Sequence, residues 1–204
     1  MKRFVVALLL LPSLTLPSAA ASLNRNYTYY TVRGTSLDEI ERQLHSKGPQ
    51  IDNSSERHPG ATTMEFTSRV RYREYNGRCL IDDVHVRLDA QVVLPLWRDR
   101  KRAGRSLQLI WDTLSSDIKR HEESHIGIAK NHARMLEDSI RALQRMRSCA
   151  ALAEAVSAET DRVLIHHDAE QDAFDRIEYA NFESRMERLL DYRLEQIETG
   201  RLRY

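Results

Sequence analysis

The segment from His121 to His125, with the sequence HEESH, constrains this chain more than any other feature. It lies inside an apolar-periodic run, residues 106–146, that predicts a long amphipathic helix. Residues four apart lie above one another on a helix, so both imidazoles point the same way and Glu122 lies beside them. Two histidines on a buried stripe next to a carboxylate are costly to desolvate without a shared partner. A metal ion is the simplest such partner.

This His-Glu-x-x-His spacing is typical of zinc peptidases, in which two imidazoles bind the metal and the glutamate takes a proton from water. The motif therefore predicts that His121 and His125 bind Zn²⁺ and that Glu122 is the general base. His132 is out of register for the extended form of the motif, which needs a glycine at position 128 and a histidine at position 131. We assign His132 to the core or to the surroundings of the ligands.

The third ligand must come from another part of the chain, because open catalytic zinc sites normally keep three protein ligands and a water. A second helical run, from Cys149 to about Ala180, contains several suitable side chains. Periodicity does not choose among them. These candidates are His166, His167, Asp168, Asp175 and Glu178.

Residues 1–21 have the pattern of a secretory signal peptide. A charged start is followed by an apolar segment, residues 4–16, and by three alanines that end at Ala21, after which we expect cleavage. The apolar segment is short for a bilayer, is broken by Pro12 and is followed by Pro17, which argues against an uncleaved anchor. We therefore expect a periplasmic or secreted protein without stable membrane insertion after cleavage.

Charge and cysteine content limit the partners and the redox state. The 31 basic and 30 acidic residues give a formal net charge of +1, so a field suited to nucleic acid is not expected. The chain has two cysteines, and an exported protein meets an oxidising compartment. This combination predicts a disulfide between Cys79 and Cys149.

The mature chain, residues 22–204, is expected to form a single α+β domain. A β-prone run, residues 27–32, precedes a short helix with a capping box at Ser36 and Glu39. Two alternating strands then flank the hairpin signal Asn76-Gly77, and Pro95 is predicted to end the second of them. We expect an antiparallel sheet of about three to four strands packed on two long helices, with a further helix from position 181 to position 200.

Several ordered motifs extend the pattern beyond HEESH. They are YYTVRGTS followed by KGP, the NGRC hairpin, VVLP at a strand end, Trp111 ahead of HEESH, Cys149, and FDRIE from Phe174 to Glu178. With these motifs the chain resembles a family of bacterial exported proteins classed as predicted secreted zinc-dependent proteases. The resemblance implies a zincin-like fold, Zn²⁺ as cofactor, His121 and His125 as metal ligands, and Glu122 as general base.

The resemblance also bears on the third ligand. The family has an aromatic-Asp pair on a later helix, which Phe174 and Asp175 match here. Many relatives continue with a His-Gly where this chain has Ala180-Asn181, so a histidine ligand is missing at that place. Asp175 is therefore the implied third ligand, with Glu178 as the next choice. The competing interpretation of Asp175 is an ordinary surface carboxylate that pairs with a neighbouring arginine.

These observations predict an exported zinc-dependent peptidase that hydrolyses peptide or protein substrates through a metal-activated water. An alternative from another class is a non-catalytic envelope binding or assembly protein that keeps a zincin-like fold. A purely structural metal site is a third interpretation, but such a site normally has four protein ligands and no free carboxylate base. Metal content and peptide turnover of the purified protein distinguish the three.

Overall fold

The computed structural model describes residues 21–51 and 57–203. The chain is α+β, as predicted. Its elements in order are β1 Ser22–Val32, α1 Leu37–Lys47, β2 Ala61–Tyr75, β3 Arg78–Trp97, α2 Arg105–Arg141, α3 Cys149–Ala180 and α4 Phe182–Glu198. The predicted signal peptide lies outside the described residues, apart from its last residue. In the part of the chain that is described, no helix has the length and apolarity needed to cross a membrane.

The three strands form one sheet in the order β1-β3-β2. β2 and β3 pair antiparallel, with Tyr75 opposite Arg78 and Ala61 opposite Val93. The predicted hairpin is confirmed: Asn76 and Gly77 both have positive φ angles, 51° and 68°, as a tight turn between two twisted strands requires.

The sheet is mixed, so the expectation of an antiparallel sheet is wrong for one strand pair. β1 pairs parallel with β3, from Ser22 opposite Arg87 to Val32 opposite Trp97. The hairpin fixes the direction of β2 against β3, because a two-residue turn must reverse the chain. β1 reaches β3 only after α1 and β2 have intervened, and the alternation of its side chains contains no information about its direction.

β3 also continues beyond Pro95, which was predicted to end it. β2 stops opposite Val93, so the last four residues of β3 pair with β1 alone. Proline is tolerated in a strand where one side has no neighbour, because its missing N–H is not needed there.

The core lies between one face of the sheet and α2. The predicted inward-facing residues of β3 are all buried, and they are Val84, Val86, Leu88, Ala90, Val92 and Leu94. The first three pack against the C-terminal half of α2 and the last three against Ile118 and Ile126. α2 therefore runs antiparallel to β3. Each of the buried valine and leucine side chains contributes about 1.5–3 kcal/mol of transfer free energy.

An aromatic cluster fixes the start of α2 against the sheet. Trp97 at the end of β3 and Trp111 of α2 are buried, with ring centroids 5.5 Å apart, and pack with Val32 and Ile40. The Trp97 indole donates a hydrogen bond to the Gly34 carbonyl at 2.9 Å. The register of α2 along β3 is thereby fixed at the end nearest HEESH.

Glu137 and Arg141 of α2 cover the part of β3 that precedes its pairing with β1. The buried Glu137 carboxylate accepts a hydrogen bond from the Val86 N–H at 3.0 Å and another from Arg141 at 2.7 Å. The same guanidinium lies 3.4 Å from the Val84 carbonyl oxygen. Backbone groups without a strand partner are satisfied in this way, which removes the cost of burying them unpaired.

The two long helices have about the lengths predicted from the sequence. α2 spans 37 residues and α3 spans 32, and the predicted capping box at Ser36 and Glu39 of α1 is present. α2 has Gly104 as its N-cap and therefore lacks a side-chain capping hydrogen bond. The predicted disulfide is confirmed, since Cys79 and Cys149 are bonded and tie the hairpin to the first residue of α3.

Candidate metal centre

Two antiparallel helices bring three donor atoms together. The Nε2 atoms of His121 and His125, both on α2, lie 3.0 Å apart. Oδ1 of Asp175, on α3, lies 3.3 Å from the first and 3.1 Å from the second. The two imidazoles and this carboxylate are the side chains that could hold a metal ion among the residues described.

The spacing of these atoms suits a small tetrahedral cation. Ligand atoms about 2.0–2.1 Å from zinc, at tetrahedral angles, are about 3.3 Å from one another. The three observed separations, 3.0, 3.1 and 3.3 Å, lie at or slightly below that value. An outward shift of a few tenths of an ångström by the closer donor atoms would give the separation that a tetrahedral zinc ion requires.

Hydrogen-bond partners assign the tautomer of His125. Its Nδ1 lies 2.6 Å from Oε1 of Gln171, an oxygen that can only accept. Nε2 also faces an acceptor, Oδ1 of Asp175 at 3.1 Å, but the Gln171 contact is the shorter one, which favours the proton on Nδ1 and a lone pair on Nε2. Nδ1 of His121 faces Oε2 of Glu178 at 3.5 Å, which favours the same tautomer. Three electron-pair donors thus converge, and a cation between them would remove their mutual repulsion.

Phe174 holds both imidazoles in place. Its ring stacks on His121 and meets His125 edge-on, with centroid distances of 5.1 Å in each case. Burial lowers the pKa of His121, and the neighbouring His125 lowers it further. Neutral imidazole is the form that binds metal, so the lowered pKa of His121 favours metal binding by this residue.

Glu122 lies beside the ligands in a closely fitted niche. Its side chain is buried, and its Oε2 accepts a hydrogen bond from the Thr62 hydroxyl of β2 at 2.8 Å. A Cβ at Gly60 would lie 2.6 Å from Oε1 of Glu122, so glycine leaves the room that the carboxylate occupies. Burial raises the pKa of Glu122, and the Thr62 hydrogen bond offsets part of that effect.

Glu178 belongs to a network of ion pairs on the other side of His121. It pairs with Arg120 and with Arg185, and both guanidinium groups also bond the buried Asp117. Burial alone would raise the pKa of Glu178, but the hydrogen bond from Arg120 and the charges of both arginines outweigh it and lower that pKa. Glu178 is thus held as an anion that faces a ligand histidine.

A cavity of about 480 Å³ opens onto these groups. The donor atoms and Glu122 lie along one wall, and apolar side chains from the β2 entry, α2 and the α3–α4 corner form much of the remainder. The latter include Pro59, Met64, Ile118, Tyr179 and Phe182. Tyr179 and Phe182 are among the exposed large hydrophobic residues of the chain. The site is therefore open to a molecule larger than water.

The structure separates the candidates for a third ligand. Asp175 faces both imidazoles, whereas the nearby Arg185 bonds Asp117 and Glu178. Of the remaining candidates, His166 and Asp168 are exposed, and the buried His167 directs its Nε2 to Gln171. His132 is buried with its Nδ1 on the Ile128 carbonyl, which agrees with its assignment to the core.

Sequence reasoning missed Gln171, Gly60 and the role of Thr62 at the site. Gln171 lies four residues before Asp175, the same spacing as between His121 and His125. Helical periodicity could therefore have placed Gln171 on the same face of its helix as Asp175. Gly60 and Thr62 give no local signal. They meet Glu122 only because β2 passes over α2, which is a tertiary contact.

No curated protein and no solved structure matches this chain. A bacterial protein family does match it, over residues 27–181, a region that includes HEESH, Gln171, Asp175 and Glu178. The match covers most of the chain, including Glu122 and the three candidate ligands. The chain belongs to the family described as bacterial protein of unknown function (DUF922).

Proposed function

We propose that this protein is an exported, zincin-like zinc-dependent peptidase. One observation carries the proposal: three potential ligand atoms converge at near-tetrahedral spacing, and a buried carboxylate lies beside them at an open cavity. A structural zinc site would need a fourth protein ligand. Within residues 21–51 and 57–203, the cluster has three, and the fourth direction is free for water or substrate.

His121, His125 and Asp175 would hold the ion. A bound zinc ion supplies a Lewis acid that lowers the pKa of water and polarises a carbonyl group. Glu122 would accept the proton of the attacking water and return it to the leaving amine. Its raised pKa suits this task, because a proton shuttle works best when its pKa lies nearer the operating pH.

The chain's own residues also support an exported location and a polypeptide substrate. The N-terminal segment has the pattern of a signal peptide, and a disulfide such as Cys79–Cys149 persists in oxidising compartments. The cavity is bordered by apolar side chains and by fully paired ions, which suits a peptide better than a polyanion. The near-neutral net charge argues against a nucleic-acid partner.

The deciding experiment uses mature protein purified from the cell envelope. We expect about one zinc per chain by elemental analysis, and turnover of a mixed peptide library. Glu122→Gln should keep the zinc and lose turnover, since the amide has the same shape but accepts no proton. His121→Ala and His125→Ala should lose the zinc. Full zinc occupancy in both alanine variants would contradict the ligand assignment.

The same measurements separate the alternative of a non-catalytic binding or assembly protein. Zinc without turnover in the wild type, over the whole library, would favour that alternative. Equal turnover in the wild type and in Glu122→Gln would instead show that any hydrolysis observed has another origin.

A further inference from the structure

A chain of buried polar groups lies behind His125 and has no part in the proposed proton transfer. Gln171 and His167 are 9% and 6% exposed and lie one turn apart on α3. Gln171 contacts His125 twice, through Oε1 to the ring Nδ1 at 2.6 Å and through Nε2 to the backbone carbonyl at 3.1 Å. Its Nε2 also lies 2.9 Å from Nε2 of His167, whose Nδ1 lies 2.9 Å from the Asp168 carboxylate.

The donor and acceptor in each of these hydrogen bonds can be assigned by starting from the exposed Asp168. The ionised Asp168 carboxylate can only accept, so the proton of neutral His167 is on Nδ1 and its Nε2 accepts. The group that donates to this Nε2 is the amide nitrogen of Gln171, which donates to the His125 carbonyl as well. The amide oxygen is left facing the His125 ring.

The opposite orientation of the Gln171 amide is unfavourable at two places. It would set the amide oxygen against the His125 carbonyl oxygen and against the lone pair of His167. Both buried acceptors would then lack a donor, which destabilises that orientation. The His125 carbonyl and Nε2 of His167 therefore both favour the same orientation of the Gln171 amide.

We propose that Gln171, oriented by His167, is a positioning residue that keeps the His125 proton on Nδ1 and leaves Nε2 free to bind the metal. This inference rests on the proposed metal centre. Hydrogen bonds of this kind to ligand histidines fix the ring and raise its basicity, and their loss typically weakens metal binding by about 10- to 100-fold.

Two readouts and three variants test the role. Two-bond ¹H–¹⁵N NMR spectra of the metal-free protein report which nitrogen of His125 is protonated, and chelator competition gives the Kd for Zn²⁺. Gln171→Leu removes donor and acceptor, whereas Gln171→Glu keeps an acceptor for Nδ1. Gln43→Leu, on α1 and away from the cavity-lining residues, is the control for the loss of a partly buried helical glutamine.

We expect His125 to be Nδ1-protonated in the wild type and to become a mixture of tautomers in Gln171→Leu. Zinc affinity should fall by about 10- to 100-fold in Gln171→Leu, recover towards the wild type in Gln171→Glu, and stay unchanged in Gln43→Leu. A wild-type His125 protonated on Nε2, or a Gln171→Leu protein with unchanged tautomer and Kd, would overturn the inference.

Failure of the proposed function gives a different result. If the wild type binds no zinc, the metal centre is wrong, and the tautomer of His125 in the metal-free protein still decides whether Gln171 orients it. If zinc binds normally but peptides are not cleaved, the positioning role stands and the peptidase proposal fails. The wild-type spectrum also keeps the test valid should Gln171→Leu fold poorly.

Discussion

Gly60→Ala is the substitution whose effect the structure defines most closely. Gly60 is buried at the entry to β2, and a Cβ there would lie 2.6 Å from Oε1 of Glu122 and 2.8 Å from Cγ2 of Ile118. Both distances are far below van der Waals contact. Neither neighbour can move freely, because Glu122 is 5% exposed and bonded to Thr62, and Ile118 belongs to the core.

The expected loss of stability follows from two opposing contributions. Forcing an extra carbon into a packed site costs about 1–3 kcal/mol, whereas replacing glycine by alanine stabilises by about 0.4–1 kcal/mol through the unfolded chain. The free energy of unfolding should therefore fall by roughly 1–2 kcal/mol. The same contact pushes the Glu122 carboxylate out of its niche, so any hydrolysis should fall while zinc binding persists.

Gly127→Ala is the matched control. Gly127 lies inside α2, two residues after His125, and nothing lies within 4 Å of the Cβ that alanine would add. Alanine in a helix interior should raise stability by about 0.5–1 kcal/mol. Opposite shifts of the urea midpoint at equal slope in the two variants would establish that the contact at Gly60, and not alanine itself, is responsible.

A double-mutant cycle tests the proposed cause. Glu122→Ala removes two of the three closest atoms, so Gly60→Ala should cost less in that background, with a coupling of about 0.5–3 kcal/mol. If Gly60→Ala leaves stability and hydrolysis at wild-type values, or costs the same with and without the Glu122 side chain, the steric reasoning is refuted.

Three further experiments test other assignments. Asp175→Asn should weaken zinc binding strongly and Glu178→Gln only mildly, as chelator competition at one pH would show; the reverse order would make Glu178 the ligand. Reducing the disulfide, whose cysteines lie 70 residues apart, should lower unfolding free energy by roughly 4 kcal/mol, measured by denaturation with and without reductant. Glu137→Ala leaves the Val86 N–H without its acceptor, whereas the half-exposed Arg141 keeps water and Asp138 as partners, so the cost should be about 1–3 kcal/mol. An unchanged urea midpoint would contradict that assignment.

Features set by local sequence were predictable, and those set by distant contacts were not. The capping box of α1, the Asn76-Gly77 hairpin and the HEESH stripe each depend on spacings of a few residues, and all three appear as expected. The parallel direction of β1 depends on the path of the chain through α1 and β2. No local pattern contains that path, so the mixed sheet could not be read from alternation.

The candidate site also has a part that local sequence predicts and a part that depends on distant contacts. His121, Glu122 and His125 form a local motif, but periodicity alone left five candidates for the third ligand, and only the family resemblance favoured Asp175. The structure singles it out because α3 runs antiparallel to α2, which brings Asp175 level with His121 and Gln171 level with His125. That pairing is a property of two helices together.

The register between α2 and α3 therefore decides whether a site exists at all. A slip of one helical turn moves α3 by about 5.4 Å along α2, which would carry Asp175 out of reach of both imidazoles. Contacts at both ends of α3 oppose such a slip. The disulfide fixes its first residue to the hairpin, and the ion pairs of Glu178 with Arg120 and Arg185 fix its last turns to α2 and α4.

Between these ends, Val163 lies fully buried among the α2 core residues. The ion pairs beside the metal centre thus have a structural role as well as an electrostatic one. Breaking these ion pairs should displace the candidate ligands while the sheet stays folded. The sheet packs mainly on α2 and makes few contacts with α3.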